Sequence, residues 1–185
     1  LNDTIYLIGG GGTDDIDSLL RLDLSTNQWI SKASLPLGRA GHSATVWNGK
    51  IYVAGGGKNG ELNTTLSYDS GLDEWVVLPE LNTPRSWPSL FVLGDRLYIA
   101  GGSQNDESEK LSSVEVYDPD SQTWILVRDL PDTKYCAGIT VLNEKAYLFA
   151  GRNDSGLNDR MFVGTPSRVV LNQDVSFTDL VDVGR

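Results

Sequence analysis

Ile51-Tyr52-Val53-Ala54-Gly55-Gly56 is the stretch of sequence that decides the fold, because it recurs along the chain. Ile5-Tyr6-Leu7-Ile8-Gly9-Gly10 and Leu97-Tyr98-Ile99-Ala100-Gly101-Gly102 repeat it, and a weaker fourth copy ends at Gly151. The second glycine steps through positions 10, 56, 102 and 151, at intervals of 46, 46 and 49 residues. Intervals of 46 and 49 residues also separate three tryptophans: Trp29, Trp75 and Trp124. Two independent markers with one period indicate a chain of repeats.

Each repeat is predicted to form short antiparallel β-strands. Ile51 to Ala54 is apolar without alternation, as expected for a strand that is buried on both faces. Asn48-Gly49 follows the preceding run and suits a two-residue type I′ hairpin turn. The glycine pair fits a strand end where backbones crowd and no Cβ has room, and the tryptophan supplies apolar area to the contact between sheets. The structural positions of the repeat are therefore Gly9, Gly10, Trp29, Gly55, Gly56, Trp75, Gly101, Gly102 and Trp124.

The repeat resembles the kelch repeat, in which each unit is a four-stranded blade of a β-propeller. The resemblance rests on Ile-Tyr-x-x-Gly-Gly, on Tyr68-Asp69 and Tyr117-Asp118, and on the tryptophan seven residues after each of these tyrosines. Residues 114–124, followed by Leu130-Pro131, look most like the kelch domains of BTB-kelch proteins. In that family the propeller recognises a target protein while separate BTB and BACK domains engage a cullin ubiquitin ligase.

The predicted fold is therefore all-β: a kelch-type propeller, present as a partial ring of about four four-stranded antiparallel blades. The repeats span approximately 1–37, 38–83, 84–132 and 133–185. The first repeat lacks its opening strand, because Asn2 to Thr4 is too short to form one before Ile5. The last is degenerate: we expect Val170 and Phe177 to replace the Tyr/Trp pair, with Met161 to Pro166 as an insertion. We expect an open arc to need further blades, or to self-associate, to close a ring.

Composition narrows the classes of partner. The formal charge is 15 − 25 = −10, which disfavours nucleic acid and negatively charged membrane surfaces and favours a partner with basic character. No apolar run reaches the roughly 20 residues of a membrane span. A single cysteine favours a reducing compartment, so the predicted location is cytoplasmic. Three glycosylation sequons, which begin at Asn2, Asn63 and Asn153, leave an extracellular origin open.

Residues with catalytic potential fit structural roles better. Gly9 to Gly12 has no following Lys-Ser/Thr, so it predicts a turn rather than a phosphate loop. His42 is the only histidine, and we expect it to hydrogen-bond at a strand edge, with ligand contact as the alternative. Cys136 is expected to be a small, half-buried thiol. We therefore expect no enzyme activity, no metal and no cofactor.

Three cations recur just before the first strand of a repeat, at intervals of 46 and 49 residues: Arg39, Arg85 and Lys134. A cation at equivalent positions predicts the same structural task in each blade. That task would be bonding loop carbonyls or pairing with a neighbouring carboxylate.

The segments that differ between blades are the candidate binding surface. They are the loops after each glycine pair and the lead-in segments Ala40-Gly41-His42, Ser86-Trp87-Pro88 and Tyr135-Cys136-Ala137. The kelch resemblance implies that both sets lie on one face of the disc, with Trp87 and Tyr135 as aromatic anchors. The alternative is that acidic loop tips merely keep the protein soluble. The candidate partner-binding residues are Asp14, Asp15, Asp17, His42, Glu61, Trp87, Asp106, Glu107, Tyr135 and Arg152.

The sequence thus predicts a protein-interaction module that recognises a protein or peptide with a preformed surface. The resemblance adds a role as substrate receptor of a cullin-RING ubiquitin ligase. The alternatives are a kelch-fold enzyme or a binder of small molecules or sugars, comparable to mutarotases or specifier proteins, and a cytoskeletal scaffold.

Overall fold

The computed structural model describes residues 1, 3–11, 16–57, 60–166 and 175–180. Residues 179 and 180 are described by their backbone only. Every regular element in these ranges is a β-strand. The first sheet has three strands in the order β1-β2-β3, namely β1 (Tyr6–Gly10), β2 (Ile16–Asp23) and β3 (Gln28–Lys32). The second has four in chain order: β4 (Ala40–Trp47), β5 (Lys50–Gly57), β6 (Thr65–Asp69) and β7 (Glu74–Leu78).

The third and fourth sheets each carry a two-stranded ribbon in the loop after the glycine position. The third contains β8 (Ser89–Leu93), β9 (Arg96–Ala100), the ribbon β10 (Ser103–Gln104) and β11 (Glu109–Lys110), β12 (Val114–Asp118) and β13 (Thr123–Leu126). The fourth contains β14 (Gly138–Leu142), β15 (Lys145–Phe149), the ribbon β16 (Arg152–Asn153) and β17 (Gly156–Leu157), β18 (Met161–Pro166) and β19 (Val175–Leu180). All strand pairs are antiparallel.

The first and last repeats differ from the middle two as follows. The first sheet has three strands, which confirms the expected loss of its opening strand. The prediction that Met161–Pro166 is an insertion is wrong, because this segment is β18, the third strand of the fourth sheet. Phe162 and Val163 are buried there, so the segment belongs to the core. Phe177 lies opposite Gly164 on the fourth strand, whereas Val170 falls outside the described residues.

The hairpin turns have the predicted backbone. Asn48 and Gly49 have φ values of +47° and +72°, and Gly94 and Asp95 have +56° and +60°. Positive φ at both central residues is the requirement of a type I′ turn, whose twist matches that of the strands. Each turn sends the chain back from the first strand of a sheet to the strand that ends in the glycine pair.

The four sheets stack face to face, with one apolar cluster at each of the three seams. Leu19, Val53 and Tyr68 pack at the first seam. At the second seam Trp47, Leu97 and Trp124 pack together, and at the third Phe91, Leu148 and Phe162. The opening strands β4, β8 and β14 lie side by side and line a common cavity of about 240 Å³. The sheets are therefore blades arranged about an axis, with their opening strands innermost.

Candidate functional site

The glycine pairs join neighbouring blades through the main chain. The N–H of Gly10 donates to the carbonyl of Arg39 at 3.0 Å. Likewise Gly56 donates to Arg85 and Gly102 to Lys134, both at 2.9 Å. Each bond runs from the end of a strand in one blade to the lead-in segment of the next blade. The second glycine of each pair thus bonds the backbone of the recurring cationic residue in the next blade.

This contact leaves no room for a side chain at the first glycine of the pair. Gly55 and Gly101 have φ values of +68° and +62°. A Cβ atom on Gly55 would lie 2.5 Å from the carbonyl oxygen of Arg85. On Gly101 it would lie 2.1 Å from that of Lys134. Both the left-handed backbone and the close approach require glycine, as the sequence predicted.

The recurring cations bind carbonyl groups of their own blades, which confirms the predicted structural task. Nη1 of Arg39 donates to the carbonyl of Gly55 at 3.1 Å, and Nη1 of Arg85 donates to that of Gly101 at 2.7 Å. Nζ of Lys134 donates instead to the carbonyl of Arg160 at 2.7 Å. Burial lowers the pKa of Arg39 to about 10, so the side chain remains charged at neutral pH.

Glu115 is a structural residue that the sequence reasoning missed. Its Oε1 lies 2.6 Å from Nη2 of Arg85, and both side chains are fully buried. The same carboxylate accepts the backbone N–H groups of Asn82 and Thr83, which lie in the connection between the second and third blades. A charged residue between Val114 and Val116 was the available signal. A buried charge in a strand needs a buried partner.

A second chain of main-chain bonds crosses the blades at the lead-in segments. The N–H of Trp87 donates to the carbonyl of Gly41 at 2.6 Å, and the N–H of Cys136 donates to the carbonyl of Trp87 at 3.1 Å. All three residues have left-handed backbones, with φ values of +60° at Gly41, +55° at Trp87 and +52° at Cys136. The lead-in segments of three blades therefore form one hydrogen-bonded rim beside the axis.

The loops after the glycine positions are tied to this rim. Oε1 of Glu61 accepts the N–H of Asp106 at 3.0 Å, which joins the loops of the second and third blades. Oε2 of Glu107 accepts the hydroxyl of Tyr135 at 3.3 Å, which joins the third blade to the fourth. Tyr135 and Arg152 exchange two backbone hydrogen bonds. We call the surface formed by Glu61, Trp87, Asp106, Glu107 and Arg152 the loop face.

Eight of the ten predicted binding residues, all but His42 and Tyr135, fall into three groups. Trp87, Asp106, Glu107 and Arg152 are exposed on the loop face, where Trp87 keeps 43% of its surface open to solvent, and Glu61 is half-buried beside them. Asp17 is exposed on β2, where its carbonyl accepts the N–H of Leu35. Asp14 and Asp15 lie outside the described residues.

The structure corrects the prediction for Tyr135. Only 4% of this residue is exposed, so its ring cannot serve as an aromatic anchor. Its hydroxyl is instead taken up by Glu107. Burial, followed by the charge of Glu107, raises the pKa of the phenol. Tyr135 is therefore a buried residue that holds Glu107 of the loop face in place. The exposed aromatic residue of the loop face is Trp87.

His42 lies at the seam between the first and second blades. It belongs to β4 opposite Gly55, and its ring approaches Gly9, where a Cβ would lie 2.9 Å from Cε1. Nδ1 is buried and has no hydrogen-bond partner. Burial and the nearby charge of Arg39 lower the pKa of His42, against the carbonyls of Arg39 and Ile8 that favour its charged form. The ring is thus held neutral at pH 7.

Cys136 differs from its prediction. The residue is exposed and not half-buried, because it sits on the rim with its backbone turned into the left-handed region. Desolvation and then the charge of Glu107 raise the pKa of its thiol. The side chain is therefore a protonated thiol at neutral pH. A thiol in this state is a poor nucleophile and a poor metal ligand.

The repeat tryptophans Trp29, Trp75 and Trp124 lie on the last strand of the first three blades. The indole N–H of Trp75 donates to the carbonyl of Ala33 at 2.8 Å, and that of Trp124 donates to the carbonyl of Pro79 at 3.2 Å. Both acceptors follow the last strand of the preceding blade, so each of these two indoles bonds across a seam between blades. Trp29 belongs to the first blade and is 47% exposed.

Within the described ranges no three His, Cys, Asp or Glu side chains come together as a set of metal ligands. Across the same part of the chain there is no helix with the length and apolarity to cross a membrane.

The structure is that of a repeat protein of the β-propeller class. Its antiparallel sheets stack around an axis, and hydrogen bonds at the glycine pairs join neighbouring sheets. Comparison with known proteins identifies the family. The model of the KLHDC2/KLHL20/DRC7 Kelch-repeats domain matches residues 1–151. The chain therefore belongs to the kelch-repeat family.

Two similar proteins give the extent of the likeness. Human Kelch-like protein 34 is 33% identical over 76 residues, which are 41% of this chain and 11% of that protein. The solved structure of YjhT matches with a TM-score of 0.80 and 20% identity, covering 98% of this chain and 62% of that chain. The second likeness shows the fold. The chain thus spans about a tenth of the human relative and less than two thirds of the solved chain.

Proposed function

We propose that this chain is a protein-interaction module whose loop face recognises a protein or peptide partner with basic character and performs no bond chemistry. The observation that carries the proposal is the exposed indole of Trp87 on a rim that main-chain bonds to Gly41 and Cys136 hold in place. A preformed surface loses little conformational entropy on binding. Tryptophan is also among the residues that contribute most to the energy of protein interfaces.

The charge of the loop face supports a basic partner. Asp106 and Glu107 are exposed beside the rim, and the net charge of the chain is −10. Opposite charge on a partner speeds its encounter with the surface and selects against acidic competitors. Salt should therefore slow association more than it speeds dissociation.

Affinity capture with matched variants tests this function. The wild-type chain, Trp87→Ala and the double variant Asp106→Lys/Glu107→Lys are used as baits, with Val77→Ala as the control. Val77 is 63% exposed and lies on β7, the last strand of the second blade. We expect one set of partners to bind the wild type and the control and to be lost from both loop-face variants. If both variants capture the same partners as the wild type, the loop face is not the binding surface.

We propose further that the module acts as substrate receptor of a cullin-RING ubiquitin ligase when joined to the domains that engage the cullin. The likeness of residues 114–131 to BTB-kelch proteins and the match to Kelch-like protein 34 support this role. Purification of the full-length protein from cells, followed by detection of a cullin in the complex, tests it. Absence of every cullin from a complex that retains its target would exclude the ligase role.

Further blades, or a second copy of the chain, are proposed to complete the ring. At the first blade, Trp29 is exposed although Trp75 and Trp124 each donate to a carbonyl of a preceding blade. At the fourth blade, Gly151 and Asn158 line an open cavity of about 430 Å³. In the second and third blades, the equivalent glycines Gly56 and Gly102 donate to Arg85 and Lys134, in the lead-in segment of the following blade. Light scattering that shows a stable monomer of 20.2 kDa would argue against completion by a second copy.

A further inference from the structure

The backbone of Trp87 has a conformation that tryptophan disfavours. Its φ of +55° is left-handed, a region in which a bulky side chain costs free energy and which glycine occupies freely. The equivalent residue of the second blade is Gly41, which has the same conformation and takes part in the same rim of main-chain bonds. The rim therefore needs the left-handed backbone but does not need an indole, because glycine would adopt this backbone at position 87 without strain. The strain arises from the choice of tryptophan, and strain of this kind points to a function of the side chain.

The indole of Trp87 packs against Gly41 of the second blade. Cε2 of Trp87 would be 3.0 Å from a Cβ atom on Gly41, so the ring packs against the main chain of that glycine. Glycine at position 41 thus provides the space for the ring. With 43% of the residue still exposed, the site presents an aromatic surface that is fixed on one side and open on the other.

One carboxylate, that of Glu107, lies beside the lead-in segment of the fourth blade. The carbonyl of Trp87 accepts the N–H of Cys136, and Glu107 reaches the same segment through the hydroxyl of Tyr135. The charge of Glu107 also acts on the thiol of Cys136, as does that of Arg152 with the opposite sign. Glu107 and Arg152 thus lie beside Cys136, whose N–H donates to the carbonyl of Trp87.

We propose that Trp87 and Glu107 together form a site for an arginine side chain of the partner, a proposal that rests on the protein-binding role of the loop face. A guanidinium group is planar, stacks on an indole and keeps its charge at every physiological pH. Its N–H groups bond a carboxylate in the plane of the stack. Lysine offers a point charge that is more strongly hydrated, so it fits a flat aromatic surface less well. Arg152 opposes the incoming cation and so weakens the site.

NMR of the indole N–H groups tests the proposal on the intact chain. The five tryptophans give five signals, and Trp87→Phe and Trp29→Phe assign two of them. The probes are the capped peptide acetyl-Gly-Ser-Arg-Ser-Gly-amide and its twins with citrulline or lysine in place of arginine. We expect the arginine peptide to shift the Trp87 signal in a saturable way and to leave the Trp29 signal in place. Citrulline should bind about tenfold more weakly, since it has the shape without the charge.

Two variants with opposite expected signs sharpen the test. Glu107→Gln should weaken binding of the arginine peptide several-fold, whereas Arg152→Gln should strengthen it. An unmoved Trp87 signal, equal shifts at Trp29 and Trp87, or equal binding of the lysine peptide would each overturn the proposal. If the arginine peptide fails while Trp87→Ala still abolishes partner capture, the loop face binds its partner by other chemistry. In that case the proposed function stands and this site does not.

Discussion

Nη2 of Arg85 lies 2.6 Å from Oε1 of Glu115, and neither side chain is accessible to solvent. Replacing Glu115 with leucine leaves the buried guanidinium without its counter-charge. We expect the free energy of unfolding to fall by about 3–5 kcal/mol, measured by urea denaturation. The control is the pair of Lys50 and Asp69, at 3.2 Å, whose side chains are both partly open to solvent, and Lys50→Met should cost less than about 1 kcal/mol. Similar losses in the two variants would contradict the structural role of the buried pair.

Alanine at position 101 separates close approach from backbone strain. In Gly101→Ala the new Cβ meets the carbonyl of Lys134, and the φ of +62° is unfavourable as well, so we expect a loss of at least about 3 kcal/mol. Gly49→Ala has the same kind of strain at φ +72° with nothing within 4 Å of the new atom, so about 1 kcal/mol is expected. Thermal unfolding of both variants makes the comparison, and equal shifts in Tm would show that the seam tolerates a side chain.

Acidification should weaken the seam beside His42. Its pKa in the folded chain is below the unfolded value of 6.5, so the unfolded state binds more protons between the two values. Stability therefore decreases as the pH falls below about 6.5. His42→Asn removes this contribution, and its unfolding free energy should change less between pH 7 and pH 5 than that of the wild type. Parallel pH profiles would show that the ring titrates freely in the folded chain.

Removal of equivalent tryptophans should have unequal costs. Trp124 is 4% exposed and Trp29 is 47% exposed. Trp124→Ala opens a cavity at the seam and is expected to cost about 3–5 kcal/mol. Trp29→Ala should cost clearly less, about 1–2 kcal/mol in a dilute monomer, because nearly half of the residue is already exposed to solvent. A large, concentration-dependent cost at Trp29 would show that another surface covers the first blade in solution.

Trp87→Gly should separate binding from stability. Glycine relieves the left-handed strain, which offsets the loss of the contact with Gly41, so the unfolding free energy should change by less than about 1 kcal/mol. Trp47→Gly, at a buried position, should cost well over about 3 kcal/mol. A strong destabilisation by Trp87→Gly would mean that the indole is part of the frame of the fold.

Periodicity made most of the fold predictable. A period identifies equivalent positions, and equivalence then explains why Gly55 and Gly101 share a conformation and why Arg39 and Arg85 bond equivalent carbonyls. The fourth repeat has lost these periodic markers. Without a Tyr-Asp pair, Met161–Pro166 could not be aligned with the third strand of the other blades.

The candidate site was predictable by position but not by exposure. Trp87 and Tyr135 are both aromatic residues of lead-in segments, yet one is exposed and the other is 4% exposed. Tyr135 is equivalent to Ser86 and not to Trp87, and both Ser86 and Tyr135 exchange backbone hydrogen bonds with the loop of their own blade. The hydroxyl of Tyr135 also donates to Glu107, from the loop of another blade. Contacts between loops that are distant in sequence do not follow the period. The left-handed backbone of Trp87 had one signal in the sequence, its equivalence to Gly41 at an interval of 46 residues.

The rim through positions 41, 87 and 136 is bonded by peptide groups, so it makes few demands on the identity of the side chains that it carries. Glycine, tryptophan and cysteine already occupy these places within one chain. Duplication of such a repeat followed by single substitutions can therefore change what the surface selects while the stacking of the blades is inherited unaltered. Recognition and architecture can thus evolve at different rates in the same polypeptide.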